Sequence, residues 1–375
     1  MQMTKLLQLV NEKGASDLFI TAGIPPSLKV DGEVLPIKDA EVLTSKESGN
    51  LAYSVMSDEQ RRDFENNKEC NFAIHQKKSG RFRVNVFMQK GSVGMVCRTI
   101  TTIIPSVEEL RLPEILKKLA MTKRGLIVFV GGTGTGKSTS MASLIQYRNH
   151  RSRDHIVTIE DPIEFLHAHD KSIITQREVG VDTDSFESAL VNAMRQAPDL
   201  IQIGEIRTRE TMESALILAE TGHLCMATLH ANNTYQALDR IINFFPDDRR
   251  TQLLMDLSMN LHAIVSQRLL AIKGKSGRIP AVEVLINSPL VAELIKEGRV
   301  DELREIIERS EEWGMQTFDQ SLFGLYEADL ISYEDAMTAA ESENELRLRI
   351  KLQGKDVDAE QLGESLSDVT FDDSQ

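Results

Sequence analysis

The order of hydrophobic and polar residues changes near the end of the first hundred residues. Residues 81–87 alternate between polar and apolar side chains, as a half-buried strand does. Residues 94–100 can pair with them across a turn at 90–92. The predicted elements of this part are helices over residues 1–13 and 45–65 and strands over residues 18–20, 28–30, 81–87 and 94–100. The pattern indicates a small α+β domain over residues 1–100 and a linker with two prolines over residues 101–113.

From residue 125 onward, short apolar runs alternate with helical patterns. The predicted strands lie at residues 126–130, 156–159, 200–203 and 224–228, with helices at residues 184–196 and 209–221. Such alternation is typical of a parallel sheet that helices cover on both faces. The later helices are predicted over residues 249–270, 290–296, 301–308, 318–326 and 333–342. The final segment, residues 355–375, contains seven Asp or Glu residues and one Lys, which predicts a disordered acidic tail.

Residues 131–138 have the spacing of a phosphate-binding loop, G-x-x-x-x-G-K-S, directly after the apolar run 126–130. Glycines allow the tight backbone that turns N–H groups toward phosphate, and the following helix presents its positive dipole end to the same anion. Lys137 is expected to reach the outer phosphates, and the Ser138 hydroxyl to ligate Mg²⁺. The strand context disfavours an accidental glycine-rich loop. The expected nucleotide-binding residues are Gly131, Gly132, Thr133, Gly134, Thr135, Gly136, Lys137, Ser138, Thr139, Glu160 and Arg207.

Charged and polar residues also follow each predicted strand after the loop. Residues 160–164 follow one strand and end in Glu164, Glu205 follows the next, and His230 follows the last. Ligands of open parallel sheets bind at the carboxyl ends of the strands. Taken singly, each residue could belong to an ordinary turn or surface. Their joint appearance behind a phosphate loop favours a site for Mg²⁺-bound triphosphate, with Glu164, Glu205 and His230 as catalytic candidates.

Two arginines in the first domain form a separate candidate. Arg81 and Arg83 fall on the same face of one predicted strand. This face could simply be solvated. Alternatively, the guanidinium groups could reach a nucleotide held by a neighbouring subunit, as arginine fingers do in trans.

Composition narrows the class of partner. The net charge of −14 argues against a nucleic-acid partner held by bulk electrostatics. The chain has no apolar stretch of ~18–20 residues, so no transmembrane segment is expected, and its N-terminus predicts no signal peptide. Cys70, Cys97 and Cys225 form no C-x-x-C pair. We expect them to be reduced structural thiols of a cytoplasmic protein.

These motifs together resemble those of a known family, the type IV pilus retraction ATPases of the secretion-ATPase superfamily. Residues 131–138 match its Walker A motif, residues 159–164 its Asp box, and residues 203–205 the end of its Walker B motif. Residues 221–230 match its His box, and residues 314–320 are also similar to the family's sequence.

The resemblance covers about residues 1–350. It implies an α/β protein, with a PAS-like first domain and a RecA-like ATPase domain with C-terminal helices over residues 114–354. It also implies a homohexamer that hydrolyses ATP with Mg²⁺ at the cytoplasmic face of the inner membrane, at the pilus base. A paralogous retraction ATPase and the membrane platform protein are the implied partners. By this likeness, Glu164 or Glu205 polarises the attacking water, and Ser138 and Glu205 hold Mg²⁺.

Two departures from the family pattern indicate a branch. Assembly and type II secretion ATPases usually carry a four-cysteine zinc insert, which three cysteines cannot build. Residues 290–294 read Leu-Val-Ala-Glu-Leu where the principal retraction ATPase has Ala-Ile-Arg-Asn-Leu, so Ala292 replaces the arginine. The resemblance therefore implies an accessory retraction motor. The alternative is a nucleotide-gated coupling subunit, and the acidic charge disfavours a DNA-linked ATPase.

Overall fold

A computed structural model of the chain describes residues 2–30, 32–76, 80–100 and 103–353. The predicted acidic tail over residues 355–375, and the first two residues of the predicted linker, lie outside the described residues. The chain divides into two units. The first contains the residues up to Ile103 together with the short segment Ile163–Leu166, and the second contains the remainder.

The first unit consists of an antiparallel sheet and three described helices. The helices are α1 (Met3–Glu12), α2 (Ser45–Tyr53) and α3 (Asp58–Asn67), and the strands are β1 (Asp17–Ile20), β2 (Ser27–Val30), β3 (Glu33–Pro36), β4 (Glu69–Gln76), β5 (Gly80–Gln89) and β6 (Ser92–Ile100). The strand order is β3-β2-β1-β6-β5-β4. The alternation of β5 buries Phe82, Val84 and Val86 and leaves Arg81 and Arg83 half-buried on the opposite face. This confirms the predicted strand and its pairing with β6.

The predicted helix over residues 45–65 is wrong as a continuous element. The chain leaves the helical conformation after Tyr53 and a second helix begins at Asp58. The Ser57 side chain accepts from the backbone N–H of Gln60, whose own side chain accepts from the backbone N–H of Ser57. This reciprocal capping starts a new helix.

The second unit is built around a mostly parallel sheet of seven described strands in the order β13-β12-β7-β11-β10-β8-β9, in which β13 runs antiparallel to β12. The strands are β7 (Gly125–Val130), β8 (His155–Glu160), β9 (Ile173–Glu178), β10 (Leu200–Ile203), β11 (Leu224–Leu229), β12 (Leu261–Ala271) and β13 (Arg278–Ile286). The helices are α4 (Glu114–Ala120), α5 (Lys137–Asn149), α6 (Phe186–Ala193), α7 (Arg209–Glu220), α8 (Thr234–Asn243), α9 (Asp247–Asn260), α10 (Pro289–Glu297), α11 (Leu303–Arg309), α12 (Phe318–Glu327), α13 (Tyr333–Ala339) and α14 (Glu343–Gln353).

The predicted helix over residues 249–270 is wrong in its second half. Helix α9 ends at Asn260 and the chain continues as β12, which is parallel to β7 on one side and antiparallel to β13 on the other. Periodicity alone cannot distinguish a short buried strand from a buried helix, so pairing on both sides decides the structure here. A β-bulge between Leu261 and Ala263 places His262 as one extra residue opposite β7.

The structure contains further elements that the sequence patterns do not predict, namely β3, β4, β9, β13, α4, α8 and α14.

The three cysteines are free and buried, and burial raises the pKa of Cys97 and Cys225 to about 12. In the described part of the chain, no helix combines the length and apolarity that a bilayer crossing requires.

Candidate active site

The phosphate loop connects the buried strand β7 to helix α5. Strand β7 lies between β11 and β12 and runs parallel to both, so its carboxyl end opens into the loop at the edge where ligands of such sheets bind. The backbone has positive φ at Gly131, Gly134 and Gly136, with values of 151°, 77° and 88°. Residues with a side chain rarely adopt this conformation. The glycines of the motif are therefore required by the backbone path itself.

Close packing makes the same demand at two of these glycines. A Cβ atom on Gly131 would lie 2.5 Å from the Thr135 hydroxyl oxygen and 2.7 Å from the Gln267 carbonyl oxygen. One on Gly136 would lie 2.7 Å from the Gln267 Nε2 atom. The loop is thus pressed against its own threonine and against β12.

Lys137 is 8% exposed and lies at the first residue of α5. Its Nζ atom donates to the carbonyl oxygens of Gly131 at 2.8 Å and Gly132 at 2.7 Å. The buried ammonium thus adds its charge to the partial positive charge at the N-terminus of the helix. The loop and lysine therefore form an electropositive pocket that favours an anion such as a phosphate group.

The polar residues that follow the parallel strands form one network. The Arg207 Nε atom donates to Glu205 Oε2 at 2.7 Å, and His230 Nε2 lies 3.1 Å from Glu205 Oε1. The Arg207 Nη1 atom also lies 3.8 Å from the carboxylate of Asp161. The structure thus brings together residues that follow β8, β10 and β11, with Glu205 at the centre.

The turn after β10 holds Glu205 in place. Gly204 donates its backbone N–H to the Ile159 carbonyl at 2.7 Å, and its own carbonyl accepts from the Thr228 hydroxyl at 2.5 Å. A Cβ atom on Gly204 would lie 3.1 Å from the Ile159 carbonyl oxygen, which explains the glycine before the glutamate. Both neighbouring strands therefore fix the backbone that carries Glu205.

The remaining predicted residues have different surroundings. Glu160 is 8% exposed and accepts from Thr158 Oγ1 at 2.6 Å and from Gln176 Nε2 at 3.2 Å. Glu164 is exposed and lies in the short segment that belongs to the first unit. The arginine candidates of β5 also belong to that unit. The roles assigned to these residues stay predictions.

An open cavity of about 630 Å³ lies beside the loop. It is lined by Gly132, by the loop from His230 to Asn232 and by polar side chains of α8, among them Gln236 and Arg240. Burial raises the pKa of the cavity residue Asp239, and the nearby Asp301 adds to this effect. The cavity therefore extends from the phosphate loop to the residues that follow β11.

Two functional candidates on β12 and β13 are absent from the sequence prediction. Gln267 is 2% exposed and hydrogen-bonds the phosphate loop, and Glu283 is 3% exposed and accepts from the backbone N–H of Thr234, the first residue of α8, at 2.7 Å. A single amide or carboxylate within an otherwise apolar strand could have indicated both residues, because buried polar groups require partners.

Glu283 is a buried titratable group that contacts the start of α8, just after the loop that follows β11. Burial raises its pKa to about 7, against the hydrogen bond from Thr234; Glu341 raises it further and Arg268 lowers it. The same two residues connect this region to the C-terminal helices. Glu341 lies 3.3 Å from the Arg268 guanidinium and accepts from Asn233 Nδ2 at 2.9 Å.

We predict that Glu283 makes the stability of the second unit depend on pH. Its pKa in the folded chain is raised, so the folded state binds more protons than the unfolded state between about pH 4.5 and pH 7. Glu283 should therefore contribute a fall of roughly 3 kcal/mol in the free energy of unfolding as the pH rises through this window, and Glu283→Gln should remove that contribution. His167, whose pKa burial lowers to about 4, contributes a rise over much of the same window in both proteins, so the difference between their pH slopes measures Glu283.

Urea unfolding at several pH values, followed by the fluorescence of Trp313, measures this effect in the unit concerned. Trp313 is the single tryptophan of the chain. Glu334→Gln, at an exposed residue of α13, is the matched control. Equal pH slopes for wild type and Glu283→Gln would contradict the prediction.

Comparison with known proteins identifies the family. The profile of the family described as "Type II/IV secretion system protein" matches residues 3–283. The chain is 59% identical over 362 residues to the Pseudomonas aeruginosa protein named type IV pilus ATPase PilU, covering 96% of this chain and 94% of that protein. It is 41% identical over 340 residues to the P. aeruginosa retraction ATPase PilT, covering 91% of this chain and 98% of that protein.

A solved structure gives the same result. The crystal structure of the pilus retraction motor PilT with bound ADP superimposes with a TM-score of 0.87 at 42% identity, and the match covers 93% of this chain and 99% of that one. The α/β fold is therefore a PAS-like α+β unit followed by a RecA-like ATPase unit with C-terminal helices. By sequence and by fold, the chain is a nucleotide-binding ATPase that belongs to the type II/IV secretion system family, among its type IV pilus ATPases.

Proposed function

We propose that this chain is a Mg²⁺-dependent hexameric ATPase that acts in type IV pilus retraction and twitching motility as an accessory to the main retraction ATPase. The observation that carries the proposal is the Asp161–Arg207–Glu205–His230 network in the same parallel sheet as a complete phosphate loop. Phosphoryl transfer needs this combination of phosphate-binding loop, metal-binding groups, water-orienting group and positive charge. The names of the relatives supply the biological setting.

Within the loop, the chain's own residues bind and orient the substrate ATP. Lys137 neutralises phosphate charge from its buried position, and the N-terminus of α5 adds its dipole. Thr133 and Thr135 lie within the loop and Thr139 follows it directly, and we propose all three as further binding residues. Arg207 and Glu160 complete the binding set that we propose from the sequence.

The oxygen ligands present fit a bound Mg²⁺. The ion prefers oxygen and usually takes one or two protein ligands together with substrate phosphates and water. We assign the Ser138 hydroxyl and the Glu205 carboxylate to this role. When bound, the metal neutralises charge on the phosphate oxygens.

We assign the orientation of the attacking water to Glu205 or Glu164, with His230 supporting Glu205. The Arg207 Nε atom donates to the Glu205 carboxylate, and the His230 ring lies beside it, so the direction of the carboxylate is set before substrate arrives. Groups that are already oriented do not have to reorganise during the reaction, which is the main source of electrostatic catalysis. The proposal therefore favours Glu205, whose carboxylate has Arg207 and His230 beside it, and the exposed Glu164 is the second candidate.

The hexamer is part of the same proposal, with Arg81 and Arg83 contributing from one subunit to the nucleotide of its neighbour. Both side chains stay half-buried on the outer face of β5. The two arginines are not part of the core of the first unit, because the apolar side chains of β5 that form this core lie on the opposite face. We propose residues 1–100 as the PAS-like domain and residues 114–354 as the ATPase domain, joined by the linker over residues 101–113.

The accessory role rests on helix α10. Ala292 is half-buried and Glu293 is exposed on this helix, at the place where the principal retraction ATPase carries the Arg-Asn pair. This surface lacks the cation that the principal retraction ATPase has, and we take this to favour a chain that depends on that paralogous ATPase. The inner-membrane platform protein at the cytoplasmic side of the pilus base is the second proposed partner.

The replacement of the Arg-Asn pair by Ala292 and Glu293 also favours one alternative, a nucleotide-gated coupling subunit with little motor activity of its own.

We predict that the purified chain hydrolyses ATP only with Mg²⁺ and that Lys137→Ala lowers kcat by at least ~10², because it removes a group that stabilises transferred charge. Phosphate release gives the rate, and light scattering gives the mass of the same sample. Lys296→Ala, at an exposed residue of α10, is the control. Equal turnover by Lys137→Ala, or a monomer that hydrolyses ATP at full rate, would overturn the hexameric ATPase.

We predict that pilus-retraction force falls in a strain whose only copy carries Lys137→Ala or Glu205→Ala, because a motor needs turnover as well as assembly. Optical-trap measurement on single pili gives the force, and the mass of the purified variants shows whether rings still form. A Glu205→Ala variant that assembles and complements a deletion fully would favour the coupling subunit over the motor.

We predict that Arg81→Ala or Arg83→Ala lowers kcat by ~10³–10⁵, as the loss of an arginine finger does. Arg62→Ala, at an exposed residue of α3, should change kcat little. Mixing each arginine variant with Lys137→Ala tests action in trans. In a mixed ring, a subunit that has Lys137 but lacks the arginine can receive the arginine from a Lys137→Ala neighbour. If both arginine variants change kcat by about threefold or less, the face of β5 is an ordinary solvated surface.

A further inference from the structure

A buried glutamine on β12 touches the phosphate loop at more than one point. Gln267 is 2% exposed and follows Ser266, which pairs with Val130, the last residue of β7. The strand register therefore places Gln267 beside the first residue of the loop. An amide in this position is buried within the sheet rather than exposed to solvent.

The Gln267 side chain joins the loop to the helix that follows it. Its Nε2 atom donates to the Thr135 carbonyl at 2.8 Å, and its Oε1 atom accepts from the Ser140 hydroxyl at 2.8 Å. Thr135 lies within the loop and Ser140 within the first turn of α5. The two bonds use a donor and an acceptor together, which an amide offers and an apolar or carboxylate side chain of this size does not.

The packing is as close as the hydrogen bonds. Cβ atoms on Gly131 and Gly136 would each come within 2.7 Å of an atom of Gln267, the carbonyl oxygen in one case and Nε2 in the other. The two glycines that shape the loop therefore face the same residue.

We propose that Gln267 is a positioning residue that holds the phosphate loop and the start of α5 in one arrangement, and so raises the affinity for nucleoside diphosphates and triphosphates. It acts through Thr135 and Ser140 and does not itself bind phosphate. A loop that is already ordered loses less conformational freedom when the ligand binds, and this increases affinity. The inference rests on the proposed function, since it takes the loop as the nucleotide site.

Calorimetric titration of the full chain with ADP tests the proposal. Gln267→Leu keeps the approximate size and removes both bonds, and we expect about a tenfold weaker Kd. Gln316→Leu is the matched control, because the Gln316 amide also donates to a backbone carbonyl, that of Val282 on the edge strand β13, at 2.7 Å. Thermal melting of both variants measures any general loss of stability.

A second pair of variants separates positioning from simple loss of stability. Ser140→Ala should weaken ADP binding by itself but have no further effect in the Gln267→Leu background, because both changes remove the same bond. Gln267→Glu should bind ADP more tightly as the pH falls, since only the protonated carboxyl can donate to the Thr135 carbonyl. Gln316→Glu should show no such pH dependence.

The outcomes discriminate between this inference and the function on which it rests. Lys137→Ala is expected to bind no ADP. If the wild-type chain also binds none, the proposed function and the inference are both overturned. Wild type that binds ADP while Gln267→Leu binds it equally well overturns the inference alone. Equal weakening by Gln267→Leu and Gln316→Leu, matched by equal loss of melting temperature, also overturns it. Weakening confined to the Gln267 and Ser140 variants supports it.

Discussion

The close approach of the phosphate loop to β12 is the constraint on which the site depends. The loop can pass this strand only because glycine occupies positions 131 and 136, where a methyl group would collide with Gln267. Lys137 is buried beside the carbonyls of this loop, at the start of α5. Positive charge that attracts phosphate is thus concentrated where the buried lysine and the N-terminus of α5 meet.

Around this loop, the parallel sheet gathers residues that are far apart in the sequence. Glu205 meets Arg207 and His230 because β10 and β11 end at the same edge, and Gly204 lets the intervening turn lie against β8. Arg207 donates to the carboxylate, His230 lies beside it, and hydrogen bonds to both neighbouring strands fix the backbone of Gly204 just before it. A site of this kind is rigid because its supports are backbone hydrogen bonds of the sheet.

The sequence predicted the loop and the strand ends because fixed spacing and apolar runs are local properties. Glu205 and His230 follow their strands directly, so the sheet geometry brings them together. The helical pattern over residues 249–270 does not indicate the strand β12, because only its two neighbouring strands reveal it. Gln267 belongs to no motif, and its partners lie about 130 residues earlier in the chain. Local pattern thus predicts the groups expected to meet the substrate, while the groups that hold them in place depend on tertiary pairing.

The bulge at His262 sets a limit on how the chain can change its length. Before the bulge Leu261 pairs with Leu126, and after it Ala263 pairs with Ile127, so the strand is offset by one residue from there to Ser266. Losing His262 would remove the bulge and leave these pairs as they are. Losing a residue between Ala263 and Gln267 would shift the glutamine by one position and turn its amide to the other face, because side chains alternate between the two faces of a strand. We therefore expect the strand to accept the loss of one residue at the bulge, but no change of length between Ala263 and this glutamine, even where substitutions are tolerated.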